Sequence, residues 1–289
     1  MSGADPPLPA VREVVARALA EDLLPLGDLT AGLVGPSATG SGVVAARAPG
    51  VLAGSRCLTE VFAQLDPSVV VRFLVADGDR LDTGSKVAEV SGPLESLLAG
   101  ERTALNLLCH LSGVATLTRR FVDAVDAVAA LGPSPATRVL DTRKTLPGLR
   151  ALQKAAVRAG GGHNHRGSLS EMVLVKDNHR AGLGIAEAVG AARRRWPMRT
   201  VEVECDTVEH VRQAVAAGAT AVLLDNMSPG QVRACVEEVA GRALTEASGG
   251  VTLDTVAAYA ATGVDFVSVG ALTMSAPSLD LGLDLDTEQ

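Results

Sequence analysis

From residue 137 to residue 269 the chain repeats one pattern: a short apolar run, then a longer segment with helical periodicity. The apolar runs fall at 138–140, 172–176, 200–204, 221–224, 243–246 and 265–269. Helical segments at about 148–159, 185–195, 208–217, 229–239 and 253–261 separate them. A strand joined to the next strand through a helix crosses over and runs the same way, so this alternation predicts a parallel sheet. Such a series fits either a barrel or an open doubly wound sheet. No Gly-x-Gly-x-x-Gly follows the first strand, which counts against a Rossmann dinucleotide site.

In parallel αβ folds the carboxyl ends of the strands converge on one face, and chemistry gathers there. Here those ends carry Asp141-Thr142-Arg143-Lys144, Lys176-Asp177-Asn178-His179, Glu204, Asp225-Asn226, Ser248-Gly249-Gly250 and Gly270-Ala271. Between the first two strands, Gly160-Gly161-Gly162-His163-Asn164-His165-Arg166 joins glycines that let backbone approach a ligand to a cluster of proton-carrying side chains. The last two strand ends are small and glycine-rich, the composition with which backbone N–H groups and helix N-termini bind phosphate. The whole chain carries a net charge of −7, so these cations are a local feature. That contrast points to a focused anion pocket and away from a nucleic-acid surface. Trp196, Tyr259 and four phenylalanines are also too sparse for a base-stacking platform.

The first part of the chain reads differently. Residues 9–20 have helical periodicity, residues 21–30 are turn-rich, and strand-like runs follow at 41–46, 69–75 and 86–90, with a helix at 55–65. This predicts a small α+β unit with a mostly antiparallel sheet. Asp22, Asp28 and Thr30 in the turn-rich stretch are ordinary loop polar groups. Pro93 opens a long helical stretch from 94 to about 128, with a break expected near Ser112-Gly113, and residues 132–136 form a proline-containing linker. Arg102 sits among Ala104, Leu105, Leu107 and Leu108, either covering apolar surface with its stem or reaching a ligand.

The four cysteines are scattered without a CxxC pair, the pattern of free thiols in a reducing cytoplasm and not of a zinc site. No basic n-region precedes an apolar core at the N-terminus, and no apolar stretch reaches the ~18 residues of a membrane span. A cytoplasmic protein without membrane contact is expected.

Arg143, Lys144, Arg166 and Lys176, with His165 nearby, suit a multiply anionic ligand, since each hydrogen bond to a charged group contributes about 1.5–3 kcal/mol. Arginine matches carboxylate and phosphate with its bidentate fork, and lysine acts as a point charge. Glu204 and Asp225 stand among these cations. They suit ribose hydroxyls, Mg²⁺ against a pyrophosphate, or a cationic sugar transition state, and structural salt bridges to the lysines are the bland alternative. His163 and His165 lack a nearby cysteine or third histidine for a zinc site, and His163 suits a structural role. Lys144 or Lys176 would serve a Schiff-base lyase or aldolase if neighbouring cations and burial depressed its pKa. A non-catalytic nucleotide binder is the third class, although phosphate binding alone requires neither Glu204 nor Asp225.

The segments ERTALNLLCHLSGVAT (101–116), DTRKTLPGLR (141–150), GGGHNHRGSL (160–169), VLVKDNH (173–179), VEVE (201–204), LLDNM (223–227), EASGG (246–250) and GVDFVSVGALT (263–273), in this order, resemble the quinolinate phosphoribosyltransferase family; GDLT (27–30) extends the likeness. The resemblance implies an incomplete parallel αβ barrel preceded by an α/β sandwich domain with a mainly antiparallel sheet. The domains would span 1–112 and 113–271, with the tail 272–289 returning to the first. It implies transfer of phosphoribosyl from phosphoribosyl pyrophosphate to quinolinate with decarboxylation, using Mg²⁺, in a homodimer with shared active sites, and possible higher assembly. By position, Thr142, Arg143, His165 and Arg166 would hold quinolinate, with Arg102 from the partner subunit. Lys144, Lys176, Glu204 and Asp225 would serve catalysis and phosphoribosyl pyrophosphate, with Glu204 and Asp225 at the metal. Ser248, Gly249, Gly250, Val269 and Gly270 would seat the phosphate. Gln153, Ala155 and Arg180 depart from the family pattern, which has an acidic, an aromatic and an aliphatic residue there. Altered packing or an extra surface charge is expected at these sites, and they leave room for a ModD-like paralogue of shifted specificity.

Overall fold

The computed structural model describes residues 5–35, 37–131, 137–180 and 182–286; the linker expected at 132–136 and the Arg180 side chain lie outside the described set. In chain order the elements begin with α1 (Leu8–Leu23), β1 (Thr39–Ala46), β2 (Gly50–Val51), α2 (Ser55–Leu65), β3 (Val70–Phe73), β4 (Arg80–Leu81), β5 (Lys86–Pro93) and α3 (Leu94–Ala129). They continue with β6 (Arg138–Leu140), α4 (Arg150–Ala159), β7 (Val173–Val175), α5 (Asp177–Arg180), α6 (Ile185–Arg195), β8 (Val201–Cys205) and α7 (Val208–Ala216). The last are β9 (Ala221–Asp225), α8 (Pro229–Val239), β10 (Leu244–Ser248), α9 (Leu253–Ala260), β11 (Phe266–Ser268), α10 (Ala271–Met274) and β12 (Leu281–Asp286). The chain divides into two compact units, one of Met1–Arg119, Thr145–Gly161 and Leu272–Gln289, the other of Arg120–Lys144 and Gly162–Ala271.

In the first unit an antiparallel sheet has the order β12-β1-β5-β3, so β12 adds to β1 from the far end of the described chain. The helical stripe read from the sequence is buried at Val11, Val14, Val15 and Leu19, and α2 buries Cys57, Leu58, Val61 and Phe62. Asp22 accepts from the Thr103 hydroxyl and Asp28 accepts from the backbone of Thr30 and Ala31, so both hold local structure.

The break expected at Ser112-Gly113 does not occur; α3 runs through it. These two residues are small because other backbone lies against them. Ser112 Oγ hydrogen-bonds both N and O of Ala53, and a Cβ on Gly113 would lie 2.1 Å from Pro277 O. Gln153 has a packing role: fully buried, its Oε1 accepts from Leu146 N at 3.0 Å and its Nε2 donates to Thr273 O at 2.8 Å, with His110 Nε2 at 2.9 Å. Ala155 is buried beside it on α4.

The second unit is an incomplete barrel of six parallel strands in the order β6-β11-β10-β9-β8-β7. The order decides between a barrel and an open doubly wound sheet: the first strand, β6, pairs with the last, β11, and β7 to β11 neighbour one another in sequence, the cyclic order of a barrel, with no pairing between β6 and β7 among the described residues. His163 adds a parallel bridge to Leu140 on β6. Capping side chains start two crossover helices, Thr207 on α7 and Ser228 with Gln231 as a capping box on α8. Strands β9 and β10 run further than their apolar runs suggested, because Asp225 pairs in register with Ser248, and Ser248 with Ser268. Their last residues are therefore the polar ones, set at the carboxyl face. Among the described residues, no helix is long and apolar enough to cross a membrane.

Alanine in place of a helical glycine ordinarily adds about 1 kcal/mol of stability. At Gly113 the contact with an immobile carbonyl reverses the sign: Gly113→Ala is expected to destabilise the protein by about 1–3 kcal/mol, read as a lower midpoint in urea denaturation.

Candidate active site

At the carboxyl ends of the barrel strands a cavity of about 590 Å³ opens within the second unit. Thr142, Arg143, Lys144, His165, Arg166, Lys176, Glu204, Asp225, Ser248, Gly249 and Gly250 line it, so eleven of the residues chosen from the sequence meet in one place. Asn226, named among the strand-end residues, lines it too, and Leu174, Leu223, Glu246 and Ser268 line it without having been anticipated as site residues. Gly270 stands at its edge, where an added Cβ would come 3.0 Å from Lys144 Cδ. Val269 is buried and its N–H is taken by Leu140 O, so its side chain belongs to the core. Arg102 belongs to the first unit, where its side chain is 68% exposed and 3.7 Å from Glu101.

The cations are crowded. Burial and the neighbouring Arg143 charge lower the Arg166 pKa, with Glu202 opposing, and Arg166 Nη1 is anchored on Met172 O. The loop that carries His165 and Arg166 is tied down by Asp141, which is fully buried. Asp141 Oδ1 accepts from His165 N at 2.9 Å and Oδ2 from Asn164 Nδ2 at 2.6 Å. A strand-end aspartate flanked by ligand-facing residues gives no sequence sign that its task is to hold a second loop.

The carboxylates are held with equal care. Lys176 Nζ donates to Glu204 Oε2 at 2.6 Å. Burial and the Glu204 charge raise the Asp225 pKa, while Lys176, the Asn226 hydrogen bond and Lys144 pull it down. Asn226 is in the left-handed region at φ 54, its N–H bonded to Ser248 O and its Nδ2 to Asp225 Oδ2. A Cβ on Gly249, itself at φ 93, would fall 2.2 Å from Asn226 Oδ1. Glycine is thus required there both by conformation and by the close approach of Asn226.

Deeper in the barrel, His165 Nε2 lies 3.0 Å from Glu202 Oε2 and 3.4 Å from Glu246 Oε2. Burial would depress the His165 pKa, but the Glu202 hydrogen bond and the two glutamate charges outweigh it and raise it, against a smaller opposing effect of Arg166. Burial, then the Glu202 charge, pushes the Glu246 carboxyl up to about 8, with His165 and Ser268 opposing.

A parallel barrel whose strand ends enclose crowded cations, two flanking carboxylates and a glycine-lined turn defines an enzyme for small, multiply anionic, phosphorylated substrates. The chain belongs to the quinolinate phosphoribosyl transferase family: the profile of that family's N-terminal domain matches residues 28–112 and that of its C-terminal domain residues 114–284. It is 44% identical over 285 residues to the nicotinate-nucleotide pyrophosphorylase [carboxylating] of Mycobacterium leprae, covering 96% of this chain and 97% of that one. It is 42% identical over 261 residues to a probable enzyme of the same name from Bacillus subtilis, covering 90% of this chain and 88% of the relative. The solved nicotinate-nucleotide pyrophosphorylase of Francisella tularensis matches with a TM-score of 0.91 at 37% identity, over 98% of both chains.

Stability should fall as pH rises. Glu246 moves from an ordinary 4.5 in the unfolded chain to about 8 in the folded protein. Its protonated form therefore contributes stability that is complete below 4.5 and is lost as pH rises through about 8. The raised His165 acts in the same direction. Thermal midpoints measured across this window should decline, and Glu246→Gln should flatten the decline.

Proposed function

We propose that this chain transfers the 5-phosphoribosyl group from phosphoribosyl pyrophosphate to quinolinate, releasing pyrophosphate and CO₂ and forming nicotinate mononucleotide. The observation that carries the reading is the meeting, in one cavity, of Arg143, Arg166 and His165 with a second set of Lys144, Lys176, Glu204 and Asp225. The first set suits a rigid dicarboxylate. The second suits an activated sugar phosphate whose leaving group gains negative charge as its ring becomes positive.

In this reading Thr142, Arg143, His165 and Arg166 hold the acceptor, and the turn of Ser248, Gly249 and Gly250 with Gly270 seats the 5′-phosphate on backbone N–H groups. As the C1′–O bond to pyrophosphate breaks, Lys144 and Lys176 neutralise the departing oxygens and the two carboxylates stabilise the ribose cation. The pyridine nitrogen bonds to C1′. Its positive charge then draws in the electron pair released when the adjacent carboxylate leaves as CO₂, and a proton takes that position on the ring. Glu204 and Asp225, close enough for one charge to raise the other's pKa, are a hard oxygen donor set that fits Mg²⁺ with water completing its shell. The ion would supply charge neutralisation for the pyrophosphate.

The homodimer belongs to this proposal too, with Arg102 reaching a neighbouring subunit's acceptor. Four free cysteines suit a reducing cytoplasm. The Lys176 ammonium engaged by Glu204 speaks against the neutral amine that Schiff-base chemistry requires.

The test is CO₂ release with quinolinate, phosphoribosyl pyrophosphate and Mg²⁺. Release should require all three, and its absence in the complete mixture removes the assignment. Lys144→Ala should lower kcat by about 100-fold or more with little change in thermal midpoint; parallel losses of both would deny it a catalytic role. Arg102→Ala should raise the quinolinate KM, and mixing it with Lys144→Ala should recover activity if subunits share sites.

A further inference from the structure

Barrel interiors of this kind are ordinarily packed with branched apolar side chains. Here Glu202 on β8 and Glu246 on β10 are 1% and 3% exposed, and the two carboxylates with His165 bring their ligand atoms within 4.8 Å of one another. Two carboxyl groups sequestered together are costly, because each loses its hydration and repels the other. Packing does not call for them, since a leucine would fill the same space. We propose that Glu202 and Glu246 are positioning residues that fix the His165 ring and its charge for the acceptor's carboxylates, a role that rests on the reading of His165 as a quinolinate contact.

The geometry of His165 is determined from two directions. Its main chain is held by Asp141 through the 2.9 Å bond to Oδ1. Its Nε2 is held by the two glutamates, 3.0 Å from Glu202 Oε2 and 3.4 Å from Glu246 Oε2, oxygens placed to accept an imidazole N–H. A carboxylate on one ring nitrogen makes the imidazole more basic and favours the doubly protonated cation. The groups facing the ring are Glu202 from β8, Glu246 from β10 and Arg166 from its own loop; Ser268 from β11 stands beside Glu246. Glu202 and Glu246 favour a cationic ring and Arg166 opposes it.

This arrangement also bears on the crowding of cations in the cavity. Arg143 and Arg166 repel one another, and a cationic His165 adds to that repulsion. Glu202 behind His165 offsets that repulsion from inside the barrel, with Glu246 packed against the same ring nitrogen. The pair thereby sets the preference for a diacid: without it, His165 becomes a neutral donor, and the advantage of two carboxylates over one shrinks.

The experiment uses the full-length enzyme with Glu202→Gln, Glu246→Gln and Glu246→Leu. Glu202→Gln should raise the quinolinate KM about 10- to 100-fold, the range for a lost hydrogen bond between charged groups, with kcat and the phosphoribosyl pyrophosphate KM nearly unchanged. Glu246→Leu should do the same, and Glu246→Gln, which keeps the shape and hydrogen-bonding of a protonated acid, should restore most of the loss. Histidine ¹⁵N spectra without substrate, with His165 assigned by a His165→Asn variant, should show both ring nitrogens protonated in the wild type and one deprotonated in Glu202→Gln. Unchanged ring signals in both Glu202→Gln and Glu246→Leu overturn the positioning role and leave the proposed reaction standing. A changed ring with an unchanged quinolinate KM overturns the contact between His165 and the acceptor, and the proposal with it. A stoichiometric transition metal bound by the wild type and lost in Glu246→Leu would make the trio a metal centre and overturn the proposal as well.

Discussion

Arg166 lies half-buried beside Arg143, and burial with that like charge lowers its pKa. Such a pair is stable in a fold only if negative charge is near, and an anion-binding site leaves part of that charge to be supplied by the ligand. The second unit meets the requirement in layers. At the cavity wall Lys176 is taken by Glu204, and Asp225 stands among Lys144, Lys176 and Asn226. Beneath it Glu202 and Glu246 face His165. The chain as a whole is acidic, so these cations are concentrated against its average and not because of it.

Geometry then decides what the charge can do. The six strands point the same way, so residues remote in the sequence arrive at one rim. Backbone in unusual conformations completes the rim at the β9 and β10 ends, where Asn226 and Gly249 approach so closely that the glycine admits no side chain. Asn226 binds Asp225 with its amide and Ser248 with its N–H. One residue therefore links the carboxylate proposed to face the ribose to the turn proposed to face its phosphate.

Much of this was legible in the sequence, and what was not has physical causes. Helices Ile185–Arg195 and Pro229–Val239 begin and end where periodicity placed them, because that signal is local. The rim residues were legible because polar groups that close an apolar run in a parallel sheet fall at its carboxyl edge, where ligands bind. Ser112-Gly113 misled because small residues mark both helix breaks and close backbone packing, and only the distant Pro277 tells the two apart. Glu202 escapes a search of strand ends because it sits within its strand, and Glu246, the last residue of the run as read, lies inside β10 because that strand continues to Ser248. A charged residue inside an otherwise apolar run is nonetheless a signal in its own right. Gln153 illustrates the remaining limit: its partners Leu146, His110 and Thr273 come from three separate stretches, which no periodicity connects.

The sheet order of the first unit bears on how the molecule is made. Strand β1 is flanked by β5 and by β12, and β12 emerges from the ribosome after every strand of the barrel. During translation β1 therefore presents a bare hydrogen-bonding edge for as long as the intervening polypeptide takes to appear. Exposed edges recruit foreign strands, and incompletely synthesised chains are where such recruitment does harm. All six strands of the barrel lie between residues 138 and 268 and are in hand before β12 appears. Nascent chains stopped before residue 281 would lean hardest on chaperones.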